Sequence, residues 1–426
     1  MHVAIITAGG AGMFCGSCMH DNTLARALMA AGIEVTLIPT YTPIRVDEEN
    51  VSVDKVFLGG INIYLDTQSR LWRALPRFIK RGFDKPWVIN LATKFGISND
   101  AHQLGKLTVA MLQGAEGPQV DEVEQLVDFI SDQLKPDVVL FSNALIAGVL
   151  PTLKKRYSGS IYCTLQGDDI FLEDLLEPYH TDALALLRKN CQLFDGFLTH
   201  SNYYREFMSD YLQLPAERFH KVALGIDFES FDGHPNEQSR DPFTVGYFAR
   251  VCPEKGVHQL IEAFALLHQR QPNTKLKVAG YCGPRDVDYL ATVRRQAEPL
   301  GDAIEFVGAL DGKSDKAAYL KSLDVLAVPT VYRECKGLYV LESLANGVPV
   351  VQPSHGAFPE IVSKTGGGLL HEPGDATALA ETLQQLVNDP QQRTQLATAG
   401  YGGVRQHYSC EEMARQTVAV LSRHKS

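Results

Sequence analysis

The sequence has little of what marks membrane, secreted or nucleic-acid-binding proteins. It contains no uninterrupted apolar run long enough to span a bilayer, and no charged segment leading into an apolar core at its N-terminus. Its 40 Lys and Arg residues are outnumbered by 50 Asp and Glu residues, and a formal net charge of -10 disfavours nucleic acid as a partner. We therefore expect a cytoplasmic globular protein that acts on small molecules.

Cysteine is also scarce, with eight residues in a chain of 426 and no small-scaffold spacing, which predicts reduced thiols rather than disulfides. Cys15, Cys18 and His20 fall within one short stretch, Cys-Gly-Ser-Cys-Met-His, which raises the alternative of a metal or redox pair. No second Cys-x-x-Cys or His-x-His pair completes a zinc site. Small residues in a tight loop are the favoured interpretation, and we predict no metal site.

Short runs rich in Val and Ile alternate with helix-length segments along the whole chain, which is typical of parallel sheets covered by helices. The length exceeds what one hydrophobic core usually organises. The sequence therefore predicts an α/β protein with two Rossmann-like domains facing a cleft. Strands are predicted at 3–7, 35–39, 138–141, 161–165, 197–199, 244–249, 275–279, 304–307, 325–328 and 349–351.

A polar stretch at 229–242 is rich in Gly, Pro, Asn, Ser and Asp and lacks hydrophobic periodicity. Such composition is typical of a linker. We predict domains at 1–228 and 243–405, followed by a C-terminal helical segment at 406–426.

Gly10, Gly12 and Gly16 follow the first predicted strand and precede a helix that we expect to begin near Asp21 or Asn22. Glycines before a helix N-terminus let backbone amides approach a phosphate. The alternative is a nicotinamide cofactor site. The glycines fit the dinucleotide spacing only with an extra residue, and the second strand ends at 39–41 without an acidic residue for a ribose. A dehydrogenase is therefore disfavoured.

Two cations follow the first strand of the second half. Arg250 and Lys255 are five residues apart, just before a long amphipathic helix. Ligands of open α/β sheets bind beyond the carboxyl ends of the strands. Paired cations at such a place can clamp a diphosphate leaving group.

Two acids follow a later strand of the same half. Glu334 and Glu342 are separated by seven residues, and Gly337 lies between them where a helix can begin. The free amides of that helix would face a phosphate, and carboxylates accept hydrogen bonds from sugar and ribose hydroxyls. A single acid at a helix start is often only a helix cap. The two acids with a glycine between them indicate a ligand-binding site.

Together these motifs resemble glycosyltransferase family 4, retaining enzymes of the GT-B fold in the glycogen synthase and sucrose synthase-like superfamily. The matching pieces are the Arg250–Lys255 loop, Glu334–Glu342, and the glycine-containing stretches at 356–362 and 367–375. The resemblance implies a metal-independent hexosyltransferase without a cofactor. Its donor would be a nucleotide sugar, UDP-linked in preference to GDP-linked, and its acceptor a carbohydrate, lipid-linked or small polar hydroxyl.

The resemblance also implies roles for single residues. Arg250 and Lys255 would bind the diphosphate, and Glu334 would lie near the donor sugar, so these three are the expected catalytic residues. The expected donor-binding residues are Gly308, Ala309 and Leu310 at the base, Lys336, Gly337 and Leu338 at the phosphates, and Glu342 at the ribose. The expected residues of the glycine-rich loop and acceptor side are Gly10, Gly12, Gly16, Gln166 and Asp168. Residues 406–426 would pack back on the N-terminal, acceptor-side domain.

The chain departs from the family pattern at two positions. Gln166 stands where family members often have a histidine that orients the donor sugar, and glutamine cannot act as an acid or base. The identity of the donor sugar therefore stays open. Lys336 replaces an aromatic residue, either to meet phosphate or another anion or as a solvent-exposed side chain.

The segment Arg70–Arg81 places Arg70, Arg73, Arg77 and Lys80 on one stripe of a predicted helix. A solvated face is favoured over contact with an anionic acceptor or a membrane surface. The oligomeric state is not predicted by any pattern.

Two other function classes share this architecture, because fold alone does not fix activity. One is a nucleotide-sugar epimerase or a phosphorylase. The other is a sugar-nucleotide-binding module without turnover, for which the substitutions at Gln166 and Lys336 are the support. The spaced acids favour the transferase.

Overall fold

A computed structural model describes residues 1–9, 16–58, 101–229, 231, 233–235, 240–310 and 312–423 of the chain, with side chains from 104 onward in the third range. Gly10, Gly12 and the basic segment at 70–81 lie outside the described residues. Contacts divide the chain into unit 1, made of Met1–His200, Tyr204–Ala223 and Met413–Ser426, and unit 2, made of Ser201–Tyr203 and Leu224–Glu412. The predicted domain boundaries stay predictions.

Unit 1 contains a six-stranded parallel sheet in the order β2-β1-β3-β4-β5-β6. Its strands are β1 His2–Thr7, β2 Glu34–Pro39, β3 Val138–Phe141, β4 Ser160–Thr164, β5 Gly196–Thr199 and β6 Phe219–Lys221. The central strands are buried on both faces, as expected of a parallel sheet between helices. The first five strands confirm the sequence-based prediction. The short strand β6 was not predicted, since three residues carry no recognisable pattern.

The helices of the N-terminal half cover this sheet. They are α1 Gly16–Ala30, α2 Ala101–Gln113, α3 Val120–Asp128, α4 Leu150–Leu153, α5 Asp168–Glu173, α6 Tyr179–Cys191 and α7 Asn202–Leu212. The expectation that α1 begins near Asp21 or Asn22 is wrong, because the helix already starts at Gly16. Its first turn buries Cys18, and this burial outweighs the poor helix propensity of the glycine.

Unit 2 repeats the architecture with the strand order β12-β11-β10-β7-β8-β9, also parallel. Its strands are β7 Phe243–Phe248, β8 Thr274–Ala279, β9 Ile304–Gly308, β10 Val325–Ala327, β11 Val350–Pro353 and β12 Gly368–His371. Five of the six were predicted. Strand β12 was not, because it begins with glycine and alternates weakly.

The helices of the C-terminal half are α8 Val257–Arg270, α9 Val287–Ala297, α10 Lys313–Lys321, α11 Leu338–Ala345, α12 Phe358–Thr365, α13 Ala376–Asn388, α14 Pro390–His407 and α15 Cys410–Leu421. No helix in the described part of the chain is both long and apolar enough to cross a membrane.

Each sheet has one place where the chain reverses the direction in which strands are added. In unit 1 this switch lies between β1 and β3, and in unit 2 it lies between β7 and β10. Loops leaving adjacent strands in opposite directions open a crevice at the carboxyl edge, where ligands of such sheets bind. The sequence-predicted residues can be judged against these two positions.

Candidate functional site

The loops that follow β7 and β10 carry the main candidate site. Lys255 ends a short turn after β7, and Glu334 lies in the loop between β10 and α11. The two strands are hydrogen-bonded neighbours at the switch point of unit 2. Residues far apart in sequence are thereby placed at one edge of the sheet.

Close backbone packing joins the two loops. The Val331 amide donates a hydrogen bond to the Glu254 carbonyl oxygen at 2.9 Å. Gly256 has a φ of 71°, and a Cβ at this position would lie 1.8 Å from the Pro329 carbonyl oxygen. Only glycine fits such a conformation and approach. Gly256 therefore lets the first loop turn into α8 directly against the second.

Lys255 and Glu334 form a buried ion pair, with 2.6 Å between Nζ and Oε2. Two phenols complete the cluster. Lys255 donates to the Tyr332 hydroxyl at 2.5 Å, and that hydroxyl donates to Glu334 Oε2 at 2.9 Å. The Tyr339 hydroxyl donates to the same oxygen at 3.3 Å. One carboxylate oxygen thus collects three donors.

The electrostatics keep this cluster in one protonation state. Burial raises the pKa of Glu334, but the Lys255 charge and the hydrogen bonds outweigh it and lower the pKa to about 2. Burial raises the pKa of the Tyr332 and Tyr339 phenols well above their ordinary value. Glu334 is therefore a carboxylate near neutral pH, and both phenols stay protonated donors.

The second oxygen of Glu334 has a different environment. Oε1 accepts from the Lys336 amide at 3.3 Å and lies 3.9 Å from the Cys335 thiol sulfur. Both are weaker interactions than those of Lys255 and Tyr332 with Oε2, because the amide bond is longer and thiols donate poorly. Oε1 is thus the oxygen with more capacity for a further hydrogen bond.

Helix α11 begins where the sequence indicated. Gly337 has a φ of 73° and precedes Leu338, the first helical residue. The first amides of a helix lack partners within it and carry a partial positive charge. Glu342 is buried on the same short helix, and Asn346 donates to its main-chain oxygen at 2.9 Å. The helix start and both predicted acids therefore belong to adjoining segments.

The other predicted residues of unit 2 lie at its surface. The Arg250 side chain is exposed, and the Tyr247 hydroxyl donates to the Arg250 carbonyl at 2.7 Å. Gly308 and Ala309 are exposed at the end of β9, with β8 between that strand and β7, while Leu310 and Lys336 are half-buried. The structure brings Lys255 and Glu334 into contact. The base-contact role of Gly308–Leu310 stays a prediction.

In unit 1 the predicted residues divide into exposed and buried ones. Gly16 is exposed at the start of α1, whereas Gln166 and Asp168 are buried after β4. The Asp168 carboxylate accepts from the amides of Gln166 and Ala144 at 2.9 and 2.7 Å. Burial raises the pKa of Asp168 to about 6, although these hydrogen bonds act in the opposite direction. Asp168 therefore shapes the backbone around Gln166.

Neither cysteine pairing nor a metal cluster emerges from the described part of the chain. Its seven cysteines are free thiols. No group of three or more His, Cys, Asp or Glu side chains that could hold a metal occurs among the described residues. Cys15 lies outside those residues, so the motif Cys15–His20 is described only from Gly16 onward.

Sequence reasoning missed the groups that support the predicted acids. Tyr332 and Tyr339 flank Glu334 in the sequence, but tyrosines are common in core segments and nothing marked their hydroxyls as donors to it. The sequence marks Asp21 only as a helix start. Its contact with Gln166 joins residues 145 apart in the sequence, and it exists only once the chain is folded.

Comparison with known proteins gives a family match for part of the chain. Residues 231–402 match the family model "Glycosyl transferases group 1". The match covers less than half of the chain. The matched segment contains the Lys255–Glu334 pair, Glu342 and helix α11.

Curated relatives align with about half of the chain. A GDP-mannose-dependent monoacylated alpha-(1-6)-phosphatidylinositol monomannoside mannosyltransferase of Corynebacterium glutamicum is 28% identical over 51% of this chain and 59% of its own length. MMP alpha-(1->4)-mannosyltransferase of Mycolicibacterium hassiacum is 30% identical over 51% of each chain. The alignments thus cover little more than half of these relatives.

Solved structures resemble the chain over nearly its whole length. Sucrose-phosphate synthase from Thermosynechococcus elongatus has a TM-score of 0.70 at 19% identity, covering 99% of this chain and 98% of its own. Anabaena HepE in complex with UDP has a TM-score of 0.68 at 17% identity, covering 99% and 100%. At this identity the likeness shows the fold alone. The predicted fold class, two Rossmann-like domains of the GT-B type, is confirmed.

Proposed function

We propose that the protein is a retaining hexosyltransferase that moves a hexose from a nucleoside diphosphate sugar to a hydroxyl acceptor. The observation that carries the proposal is the buried Lys255–Glu334 pair beside the start of α11, at the switch point of the sheet in the segment that matches the group 1 family model. The proposed donor is a UDP-sugar. The name of the GDP-mannose-dependent relative supports a GDP-sugar as the alternative.

The chemistry demands stabilisation of a departing diphosphate. The Lys255 ammonium, the Arg250 guanidinium and the first amides of α11 supply positive charge without any reorganisation of solvent. Glu334 presents Oε1 to a hydroxyl of the donor sugar, while Tyr332 and Tyr339 hold Oε2 in place. Glu342 accepts from the ribose hydroxyls.

Retention follows if the acceptor approaches from the face that the diphosphate leaves. The bond between the anomeric carbon and the phosphate oxygen breaks, and a bond from that carbon to the acceptor oxygen forms on the same face. A phosphate oxygen of the leaving group takes the acceptor proton. The proposed acceptors are carbohydrate, lipid-linked or small polar hydroxyl compounds.

The experiment is a thermal-shift panel with UDP, GDP, ADP, NAD and their common sugar conjugates, because a ligand of the native state raises the melting temperature. We expect a selective shift with one nucleoside diphosphate and its sugar conjugate. Proton NMR of the sugar product then gives its anomeric configuration. The proposal is contradicted if NAD alone raises the melting temperature, or if none of the tested nucleotides does. If the protein binds a nucleotide sugar tightly but does not consume it, the result supports a sugar-nucleotide-binding module without turnover instead.

Two variants test whether Glu342 belongs to the donor-binding site. Glu342→Gln should weaken donor use by about tenfold or more, since a buried hydrogen bond to a charged acceptor contributes roughly 1.5–3 kcal/mol. Glu381→Gln is the matched control, because Glu381 is an exposed acid on α13 of the same unit. Equal donor kinetics for the two variants would remove Glu342 from the site.

A further inference from the structure

A strained turn follows β2 in unit 1, and Tyr41 is its central residue. Tyr41 has a φ of 63°, and the Thr42 amide donates to the Thr40 carbonyl oxygen at 2.7 Å. A hydrogen bond between residues two apart, around a residue with such a φ, defines a γ-turn of the rare and strained kind. A bulky side chain at positive φ is an outlier. The chain thus retains an aromatic residue where it has a conformational cost.

The surrounding backbone holds this turn in place. Thr40 donates to the Thr7 carbonyl oxygen through its amide at 2.7 Å and through its hydroxyl at 2.9 Å. The Tyr41 amide donates to the Phe57 carbonyl oxygen at 2.9 Å. Gly9, just after β1, packs so closely that a Cβ there would lie 2.7 Å from the Thr40 carbonyl oxygen. The neighbouring segments therefore impose the conformation of Tyr41.

The segment that follows the turn is held against α1. Glu48 Oε1 accepts from the Asn22 side-chain amide at 2.9 Å and from the Thr23 hydroxyl at 2.7 Å. Glu48 Oε2 pairs with Arg26 at 2.8 Å, and the Val51 amide donates to the Asn22 side chain at 3.0 Å. Three side chains of one helix thus hold this segment, so the turn has little freedom to relax.

The Tyr41 phenol is half-buried, and it makes no hydrogen bond to any residue that the structure describes. Burial raises the pKa of this phenol above its ordinary value, and neither a charge nor a hydrogen bond contributes to the shift. Solvent still reaches the hydroxyl, because it is not one of the fully enclosed polar atoms without a partner. The side chain therefore has an unused donor and acceptor at the carboxyl edge of the sheet, where ligands bind.

These features indicate a binding role and the chemistry of its ligand. Backbone outliers persist where the surrounding structure enforces them, and they cluster at functional sites. A phenol combines an apolar ring face with a polar tip. A sugar ring has an apolar C–H face and several hydroxyls, so it matches both parts of the side chain. A free phosphate matches the tip alone.

We propose that Tyr41 is an acceptor-binding residue whose ring packs on a sugar ring and whose hydroxyl hydrogen bonds to one of its hydroxyls. The inference rests on the proposed function, because a hexosyltransferase needs a second substrate that carries hydroxyls. The place of Tyr41 after β2 is separate from that of Gln166 and Asp168, which follow β4. Tyr41 thereby adds a contact that the sequence motifs do not mark.

The test uses the full chain as wild type, Tyr41→Phe and Tyr41→Asn. Dissociation constants for methyl α-glucoside, methyl α-mannoside, methyl α-galactoside and inorganic phosphate are measured by NMR titration, with and without UDP or GDP. We expect at least one glycoside to bind the wild type. Tyr41→Phe should weaken that binding by about three- to tenfold, as for one lost hydrogen bond. Tyr41→Asn suits the positive φ but removes the ring, so it should weaken the binding further.

Stability separates ligand binding from a structural role. The Tyr41 hydroxyl has no partner in the described protein, so Tyr41→Phe should keep the melting temperature within about 1 °C of the wild type. Tyr157→Phe is the matched control, because the buried Tyr157 hydroxyl donates to the Pro136 carbonyl oxygen at 3.0 Å in the same unit. It should lower the melting temperature by about 2–4 °C and leave glycoside affinity unchanged.

The remaining ligands keep the outcomes distinct. Affinities for phosphate, UDP-glucose and GDP-mannose should be equal in the wild type and Tyr41→Phe. A loss for one of these ligands alone would assign Tyr41 to an anion or to the donor and overturn the inference. So would a wild type that binds none of the glycosides, or equal glycoside affinity in the wild type and Tyr41→Phe. Glycoside binding that depends on Tyr41, without binding of any nucleotide, would instead count against the proposed function alone.

Discussion

Each unit holds a buried carboxylate at the carboxyl edge of its sheet, and the two have opposite pKa shifts. Burial raises the pKa of Asp168 to about 6, although two backbone amides donate to it. Glu334 is equally buried, yet the pKa is lowered to about 2 because Lys255 lies 2.6 Å away. Neutral donors thus do not offset the loss of water around a carboxylate, whereas one cation does.

Removing the cation should abolish this difference and gives the largest expected effect. Lys255→Met leaves Glu334 as an unpaired charge in the interior. We expect the free energy of unfolding at pH 7 to fall by about 3–5 kcal/mol, as when one partner of a buried pair is lost. Urea denaturation measures the loss.

The control for this prediction is the double variant Lys255→Met with Glu334→Gln, which removes both charges. It should be more stable than Lys255→Met alone, because no charge then stays buried without a partner. If the single variant loses less than about 1 kcal/mol, Glu334 takes up a proton or water at little cost and the comparison with Asp168 fails.

The pH dependence of stability sharpens the comparison, with a smaller expected effect. The folded pKa of Glu334, about 2, lies below its ordinary 4.5, so its contribution is present above pH 4.5 and lost as pH falls through 2. The folded pKa of Asp168, about 6, lies above 3.8, so its contribution is full below pH 3.8 and lost as pH rises through 6. Urea midpoints from pH 2 to 7 measure both.

Two variants show which carboxylate causes each change of stability with pH. Glu334→Gln should lose less stability than the wild type on acidification below pH 4.5, and Asp168→Asn should remove part of the decline between pH 3.8 and 6. Identical profiles for the wild type and both variants would show that the pKa of neither carboxylate is shifted by folding.

The two phenols on Glu334 permit the finest comparison. Tyr332→Phe removes a hydroxyl that links Lys255 to the carboxylate, and Tyr339→Phe removes a longer bond to the same oxygen. We expect losses of roughly 1–2 kcal/mol for the first and about 0.5 kcal/mol for the second, from the usual range for single hydrogen bonds. Urea denaturation with both variants measures the order. A reversed order would mean that Tyr339 is the principal support of Glu334.

Much of this architecture could be predicted, because strands of a parallel sheet carry continuous apolar runs. Lys255 and Glu334 could be expected close together, since each follows a strand and such loops meet at one edge. The start of α11 was marked by Gly337, which has the positive φ that ends one segment and begins the next.

What the sequence did not reveal depends on contacts between distant segments. The hydroxyls of Tyr332 and Tyr339 matter only once the Glu334 carboxylate is folded between them. The Gln166 side-chain amide donates to Asp21, and a helical aspartate carries no local sign of that contact. The early start of α1 at Gly16 also depends on tertiary burial rather than propensity.

Unit 1 is discontinuous in the chain, and this affects the order in which the protein matures on the ribosome. Its sheet is complete after β6, but Met413, Thr417 and Leu421 are buried in the same unit, and the Ala223 amide donates to the Gln416 side chain at 2.8 Å. Translation therefore delivers every residue of unit 2 before Met413, where the last segment of unit 1 begins. A nascent chain must keep the first unit incomplete while the second can already fold, so the part that is synthesised first is the part that is finished last.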